Sequence, residues 1–204
     1  MTTGSTVFIV DDDEAVRDSI KELCISVGLA GEAFASAADF KDRFDPARPG
    51  CLVLDVRMAR TSGLALQAWL KEMKIAIPIV FVSAHADVPA VVEAMRNGAV
   101  GFVTKPYREQ ELLENINEAL TRDAAVRSVE SKHSSYWRLV ESLTAREREV
   151  MELAVQGLQS KVIAQRLGIS FRTVELHRSR LLEKLGVESM AELIRVSSER
   201  RGAG

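Results

Sequence analysis

Four kinds of side chain in this sequence could together handle a phosphoryl group. Asp11, Asp12 and Asp13 form one acidic run; Asp55 lies near the end of the apolar segment CLVLDV, Ser83 near the end of IPIVFVSA, and Lys105 follows VGFVT and precedes Pro106. Clustered carboxylates repel one another and require a cation, and oxygen donors with few dedicated positions suit Mg²⁺. A carboxylate nucleophile, a divalent cation, a hydroxyl and an ammonium are the parts of phosphoryl transfer. In that chemistry Asp55 attacks phosphorus, the metal and Lys105 balance the developing charge, and Ser83 donates to a phosphoryl oxygen. Each residue taken singly has a plainer reading. Three aspartates after a strand are ordinarily a solvated loop or a helix N-terminus, where the dipole favours them. The chemical reading rests on their order, each at the end of an apolar run.

The elements that must position these residues are short continuous apolar runs, VFIV (7–10), CLVLDV (51–56), IPIVFVSA (77–84) and VGFVT (100–104), which read as buried strands. A weaker strand falls near Ala33–Phe34. Helical spacing of Val16, Ile20, Leu23 and Val27, then of 37–44, 89–97 and Glu109 to about Leu120, fills the intervals, with Gly28 and Gly98 at two helix ends. Continuous apolar strands alternating with helices mean a parallel sheet covered on both faces, with ligands collecting at the carboxyl ends of its strands. Cys24, Cys51 and Trp69 fall on apolar faces and read as core.

After about residue 122 the strand signal disappears. Thr144 and Glu147 spell a capping box for a helix reaching Gly157; Ser160 and Ser170 read as caps of two further helices, separated by a turn at Gly168. Ser189 and Glu192 spell a second capping box. The Gly168 turn has helix-turn-helix spacing, which places the 171–184 helix in a major groove. Val174, Leu181 and Leu185 then face inward, while Arg172, Glu175, Leu176, Ser179 and Arg180 face outward. Lys161, Arg166, Arg178 and Lys184 are expected at phosphates. Glu175 could accept from cytosine N4, and Leu176 could touch a thymine methyl. A small helical bundle with a solvated basic face is the alternative. Between the two parts, no Pro or Gly interrupts 109–156. Residues 123–140 are therefore expected as a partly helical linker, its helix running to about 130 along Val126 and Val129 before the polar SKHSS cluster breaks it. A flexible linker competes with that reading.

The chain has 204 residues, 47% hydrophobic and 27% charged, ordinary globular values for one large domain or two small ones. Two cysteines cannot make a disulfide framework, no apolar run approaches the 18 or so residues of a membrane span, and MTTGST carries no basic segment of a signal peptide. A cytoplasmic protein with reduced thiols and no membrane partner is expected. The net charge of −2 hides an asymmetry, with −5 over residues 1–122 and +3 over 123–204. A basic back half suits a polyanion.

The first 122 or so residues resemble the receiver domain of bacterial two-component response regulators, through VFIVDDD, CLVLDV, IPIVFVSA and GFVTKPY. The resemblance implies a doubly wound α/β domain over 1–122, with five parallel strands in the order 2-1-3-4-5. It implies that Asp12, Asp55 and the backbone carbonyl of Arg57 bind Mg²⁺, with Asp11 acting mainly through water. It further implies phosphorylation of Asp55 by a sensor histidine kinase, Ser83 and Phe102 as switch residues, and a cis peptide before Pro106. In the family the positions of Arg57 and His85 tune dephosphorylation, although a plain loop histidine also fits. The pattern departs at Ala59 and Arg60, where the family usually has a proline, so this loop is expected to be less rigid.

The stretch from Leu143 to Val196 resembles the all-α, four-helix LuxR-type DNA-binding domain, through LTARERE, IA…LGIS, RTVELHR and KLGV. In that family the positions of Glu175, Leu176 and Ser179 face bases, and the fourth helix makes a dimer contact. Residues 141–204 are its expected extent. Together the two parts resemble a response regulator of the NarL/FixJ family, on its FixJ-like branch, a transcription regulator rather than an enzyme. The implied partners are a sensor histidine kinase, double-stranded promoter DNA, RNA polymerase and, once phosphorylated, a second copy of the chain. Phosphorylation would draw Ser83 inward, let Phe102 follow, and make the 4-5 face of the receiver dimerise. Two rivals remain on the residues. Asp11 and Asp13 also fit the Asp-x-Asp of haloacid-dehalogenase-type phosphatases, with Asp11 as nucleophile. The Ala59–Arg60 departure would also fit a constitutive DNA-binding module whose receiver takes no phosphate.

Overall fold

A computed structural model describes residues 4–84 and 87–201. The chain divides into two compact units, Met1–Ser128 and Val129–Gly204. In the first unit β1 (Thr6–Val10), β2 (Ala30–Phe34), β3 (Gly50–Asp55), β4 (Ile79–Ser83) and β5 (Gly101–Thr104) form one parallel sheet in the order β2-β1-β3-β4-β5. Helices α1 (Glu14–Ser26), α2 (Ala37–Arg43), α3 (Gly63–Glu72) and α4 (Val88–Arg96) connect the strands, and α5 begins at Glu109. The sheet order and the weak strand at Phe34 are as the sequence reading expected.

Side chains alternate across a strand, so each strand serves two cores. Phe8, Val10, Leu52, Leu54 and Phe81 join Phe34, Phe40, Leu66 and Leu70 on one face. Val7, Ile9, Cys51, Val53, Val80 and Val82 join Ile20, Cys24, Leu112 and Ile116 on the other. Both cysteines are free and buried, and burial pushes the Cys24 thiol up to about 11, so neither is a reactive thiolate. Trp69 packs partly buried against the first core, with Lys41 Nζ 4.6 Å from its ring centroid.

Helix α5 runs from Glu109 to Glu141, longer than the sequence reading expected. The SKHSS cluster does not break it. A helix ends where a residue cannot adopt its geometry, and polar side chains alone impose no such limit. Val126 and Val129 are exposed and do not continue the apolar stripe. The 123–140 segment is also not a free linker. Its first part belongs to the receiver unit: buried Asp123 accepts a hydrogen bond from Gly50 N–H at 2.9 Å. Arg127 donates to both oxygens of Asp123 and to the carbonyls of Pro46, Ala47 and Arg48. A Cβ on Gly50 would lie 2.0 Å from the Thr6 carbonyl oxygen, so only glycine fits there. The last part of α5 belongs to the second unit: Tyr136 and Val140 are buried with Leu143, Met151, Leu181, Leu185 and Leu193.

The second unit continues with α6 (Ala145–Val155), α7 (Ser160–Leu167), α8 (Phe171–Leu185) and α9 (Met190–Arg201). The Thr144–Glu147 capping box forms in both directions. Ser170 caps α8, and Gly168 ends α7 in the left-handed conformation at φ 64°. Ser160 departs from its expected role. It is the first residue of α7 rather than its cap, and the cap position, Gln159, makes no side-chain capping bond. At Ser189 the box is half formed, because the Glu192 carboxylate takes the N–H of Glu188.

Candidate functional site

The three aspartates after β1 divide three tasks. Asp13 caps α1, accepting from the N–H of Ala15 and Val16. Asp12 Oδ2 accepts from Ala59 N–H at 2.8 Å and is thereby engaged with the loop after β3. Asp11 turns into the sheet edge, buried, with Oδ1 held by Asp13 N–H and Oδ2 by Lys105 Nζ at 2.6 Å. The plain reading of the acidic run is thus right for Asp13 and incomplete for Asp11. It also weakens the Asp-x-Asp alternative, since Asp13 is committed to a helix terminus.

Asp55 is the last residue of β3 and is 5% exposed. Its Oδ1 lies 3.1 Å from Lys105 Nζ, and its Oδ2 accepts from Arg57 N–H at 2.8 Å. Burial raises the Asp55 pKa above its ordinary value and Asp11 adds to that rise, while Lys105 and the Arg57 N–H oppose it. Burial also works against the charge on Lys105, but the bonds and charges of Asp11 and Asp55 outweigh it and raise its pKa. One ammonium therefore serves two buried carboxylates. Gly63 lets α3 start against this strand end: its N–H donates to Val56 O, and a Cβ there would lie 2.2 Å from the Asp55 carbonyl oxygen.

Ser83 ends β4, buried, and its carbonyl accepts from Lys105 N–H at 2.8 Å, so the strand-end register ties β4 to the lysine. The Lys105–Pro106 peptide is cis. Phe102 is partly buried and stacks on Phe81, with ring centroids 6.2 Å apart. Sequence reasoning missed Asp87. It caps α4 through Ala90 N–H and pairs with the Arg57 guanidinium at 3.2 Å. An Asp before Val-Pro is a legible cap; its partner 30 residues away is not. His85 lies outside the described residues.

In the second unit Val174, Leu181 and Leu185 are buried, and Arg172, Glu175, Leu176, Ser179 and Arg180 are exposed on α8, as the helical spacing requires. Lys161 and Arg166 are exposed on α7. Two of the residues expected at phosphates also have partners within the fold. Lys184 Nζ lies 2.7 Å from buried Glu147, joining α8 to α6. Arg178 donates to Ser160 Oγ and lies 3.9 Å from Glu175. A buried carboxylate needs a cation, and the partly exposed Lys184 supplies it to Glu147.

The chain matches the response regulator receiver domain family over residues 7–117 and the LuxR family of bacterial regulatory proteins over 141–197. It is 43% identical to the transcriptional regulatory protein TdiR of Thauera aromatica over 191 residues, covering 94% of this chain and 84% of that one. The solved structure of the response regulator StyR superposes with a TM-score of 0.85 at 41% identity, covering 97% of this chain and all of the other. Full-length FixJ from B. japonicum superposes with a TM-score of 0.59 at 36% identity, covering both chains entirely.

Proposed function

The chain belongs to the DNA-binding transcriptional response regulators of two-component systems, FixJ-like in joining a receiver to a LuxR-type domain, and from that premise we propose that Asp55 is its phosphoacceptor. Such a receiver takes its phosphoryl group from a histidine kinase, and such a regulator acts on DNA rather than as a metabolic enzyme. The observation that carries the proposal is the buried Asp55 carboxylate at the end of β3, held from opposite oxygens by Lys105 Nζ and Arg57 N–H. An Asp55 oxygen forms the O–P bond as the N–P bond of the kinase phosphohistidine breaks. Lys105, freed to swing from carboxylate to phosphoryl oxygen, balances the transferred charge, and the Ser83 hydroxyl donates to the same group.

Receiver domains generally bind Mg²⁺ at an acidic site. The chemistry of Asp11 and Asp55 fits it: both are hard oxygen donors, and this buried pair carries one negative charge more than Lys105 supplies, while among the described residues no three acidic side chains are already gathered as a metal site. Asp11, Asp12, Asp55 and the Arg57 carbonyl would hold the ion, Asp11 mainly through water. When bound it supplies positive charge to the phosphoryl oxygens.

Burial of a phosphoryl group by Ser83 draws Phe102 inward along Phe81 and reshapes the face built on α4 and β5. Val88, Val92 and Met95 are exposed on α4 and supply the apolar area for a homodimer. The dimer presents two copies of α8 to the major groove of promoter DNA, where Arg172, Leu176, Ser179 and Arg180 face the duplex and Lys161 and Arg166 meet phosphates. RNA polymerase is the next partner. Among the described residues no helix is long and apolar enough to cross a membrane; the cytoplasm is the working compartment.

The test is selection of randomised duplexes by the full-length protein with and without acetyl phosphate and Mg²⁺, alongside Asp55→Asn. Paired half-sites enriched only with acetyl phosphate, and lost in Asp55→Asn, support the proposal. Equal enrichment in all three samples would mean a constitutive DNA-binding module.

A further inference from the structure

Glu175 is an acidic side chain on the exposed face of a helix read here as meeting a polyanion. It is 49% exposed, beside Leu176 at 48%. A carboxylate near phosphates is unfavourable unless it accepts from a base amino group, as from cytosine N4. A long side chain at such exposure also ordinarily samples many rotamers, and ordering it on binding costs affinity.

Here the side chain is held before any DNA arrives. Ser160 Oγ, on α7, donates to Glu175 Oε1 at 2.5 Å. Arg178, one turn further along α8, donates to the same Ser160 oxygen and lies 3.9 Å from Glu175 Oε1. Ser160 is 5% exposed, so its hydroxyl has exchanged water for these two partners. The helix start explains why it is available: Ser160 is the first residue of α7 and caps nothing, because the cap position belongs to Gln159. The result is a directed chain, guanidinium to hydroxyl to carboxylate, across the two helices of the helix-turn-helix.

We propose that Ser160 and Arg178 are positioning residues that set the base preference of this regulator by fixing the Glu175 carboxylate. With Oε1 committed to Ser160, Oε2 reads the base, and the base class it selects carries an exocyclic amino group, cytosine before adenine. Arg178 thus acts on specificity through Glu175 and is not a phosphate anchor. This rests on the reading of α8 as the recognition helix, and the test separates the two.

Full-length protein phosphorylated with acetyl phosphate and Mg²⁺ is used to select randomised duplexes, as wild type, Glu175→Ala, Ser160→Ala, Ser160→Thr, Arg178→Ala and Leu176→Ala. Glu175→Ala should flatten the preference at one base pair per half-site. Ser160→Ala and Arg178→Ala should lower discrimination at that same pair by about tenfold, within the range of one lost base contact. Ser160→Thr, which keeps the hydroxyl, should restore it. In the Glu175→Ala background, Ser160→Ala should have no further effect on preference. If Ser160→Ala and Arg178→Ala weaken all sequences equally while Glu175→Ala changes preference, the positioning role is wrong and the recognition helix stands. If neither Glu175→Ala nor Leu176→Ala changes preference at any base, the recognition helix itself is wrong. Should Ser160→Ala fail to fold, Arg178→Ala reads the same chain and decides between these outcomes.

Discussion

Lys105 Nζ lies 3.1 Å from Oδ1 of Asp55, half the receiver sequence away, and at 2.6 Å the same nitrogen holds Asp11. Among the described residues Lys105 is the one cation in contact with these two buried carboxylates, and Lys105→Met removes it. The receiver unit should lose roughly 3 kcal/mol, as when one partner of a buried pair is deleted. Mg²⁺ should restore part of that loss, more than it adds to wild type, because it neutralises the same two charges. Thermal unfolding of the full chain with and without Mg²⁺ checks this. An equal Mg²⁺ effect on both proteins would remove Asp11 and Asp55 as the metal ligands.

A second expectation concerns acid. Burial works to raise the Glu147 pKa, but the bonds from Lys184 and from Thr144 outweigh it, and the carboxyl sits below its ordinary value. The unfolded chain therefore binds this proton at higher pH than the folded chain does. The resulting stability is complete above the ordinary carboxylate range, about pH 4.3 for glutamate, and is lost as pH falls through the lowered folded value. Helical signal of the 129–204 unit, followed by thermal melts between pH 6 and 3, should show the loss. Glu147→Gln should flatten that part of the profile and lower the melting temperature at neutral pH.

Arg127→Ala should destabilise the receiver unit by roughly 2 kcal/mol, since it strips partners from buried Asp123 and from three carbonyls of the loop before β3. Asp123→Asn should cost less, because the amide oxygen still accepts from Gly50 N–H. Hydrogen exchange should quicken at 46–50 and 123–127 together in Arg127→Ala. Quickening at 123–127 alone would mean that the loop and the helix are not coupled through this side chain.

DNA affinity should fall with salt, and Arg172→Ala should reduce the slope of log K against log salt by about 1 if it neutralises one phosphate. Lys184→Ala should leave that slope unchanged and lower stability instead, because its ammonium belongs to Glu147. Fluorescence anisotropy across a salt series reads both.

The strand runs made the sheet legible, and the strand-end positions of Asp55, Ser83 and Lys105 followed from it. Periodicity also gave the inward face of α8 at Val174, Leu181 and Leu185. What stayed hidden was the partner of each polar side chain. Lys184 and Lys161 look alike as letters in a basic stretch, yet one is paired with a glutamate 37 residues upstream and the other is exposed. Asp12 and Asp11 are adjacent, and only the fold shows one turned to Ala59 and the other to Lys105. Serine before a helical pattern is usually a cap, and Ser160, the first residue inside α7, is an exception that only the backbone shows. The polar SKHSS composition suggests a break in α5, but it contains neither Pro nor Gly and the backbone continues as helix to Glu141.

Helix α5 also fixes where this protein can be recombined. Family boundaries at 117 and 141 suggest exchanging the two halves anywhere in the intervening stretch. A hybrid that takes its sensor half only to 122 discards Asp123 and Arg127, which fasten the loop at Pro46–Arg48. A hybrid that starts its output half at 141 discards Tyr136, whose hydroxyl meets Ser197 at 2.8 Å inside the second core, together with Val140. Crossovers that keep both anchors with their own units fall between 128 and 135.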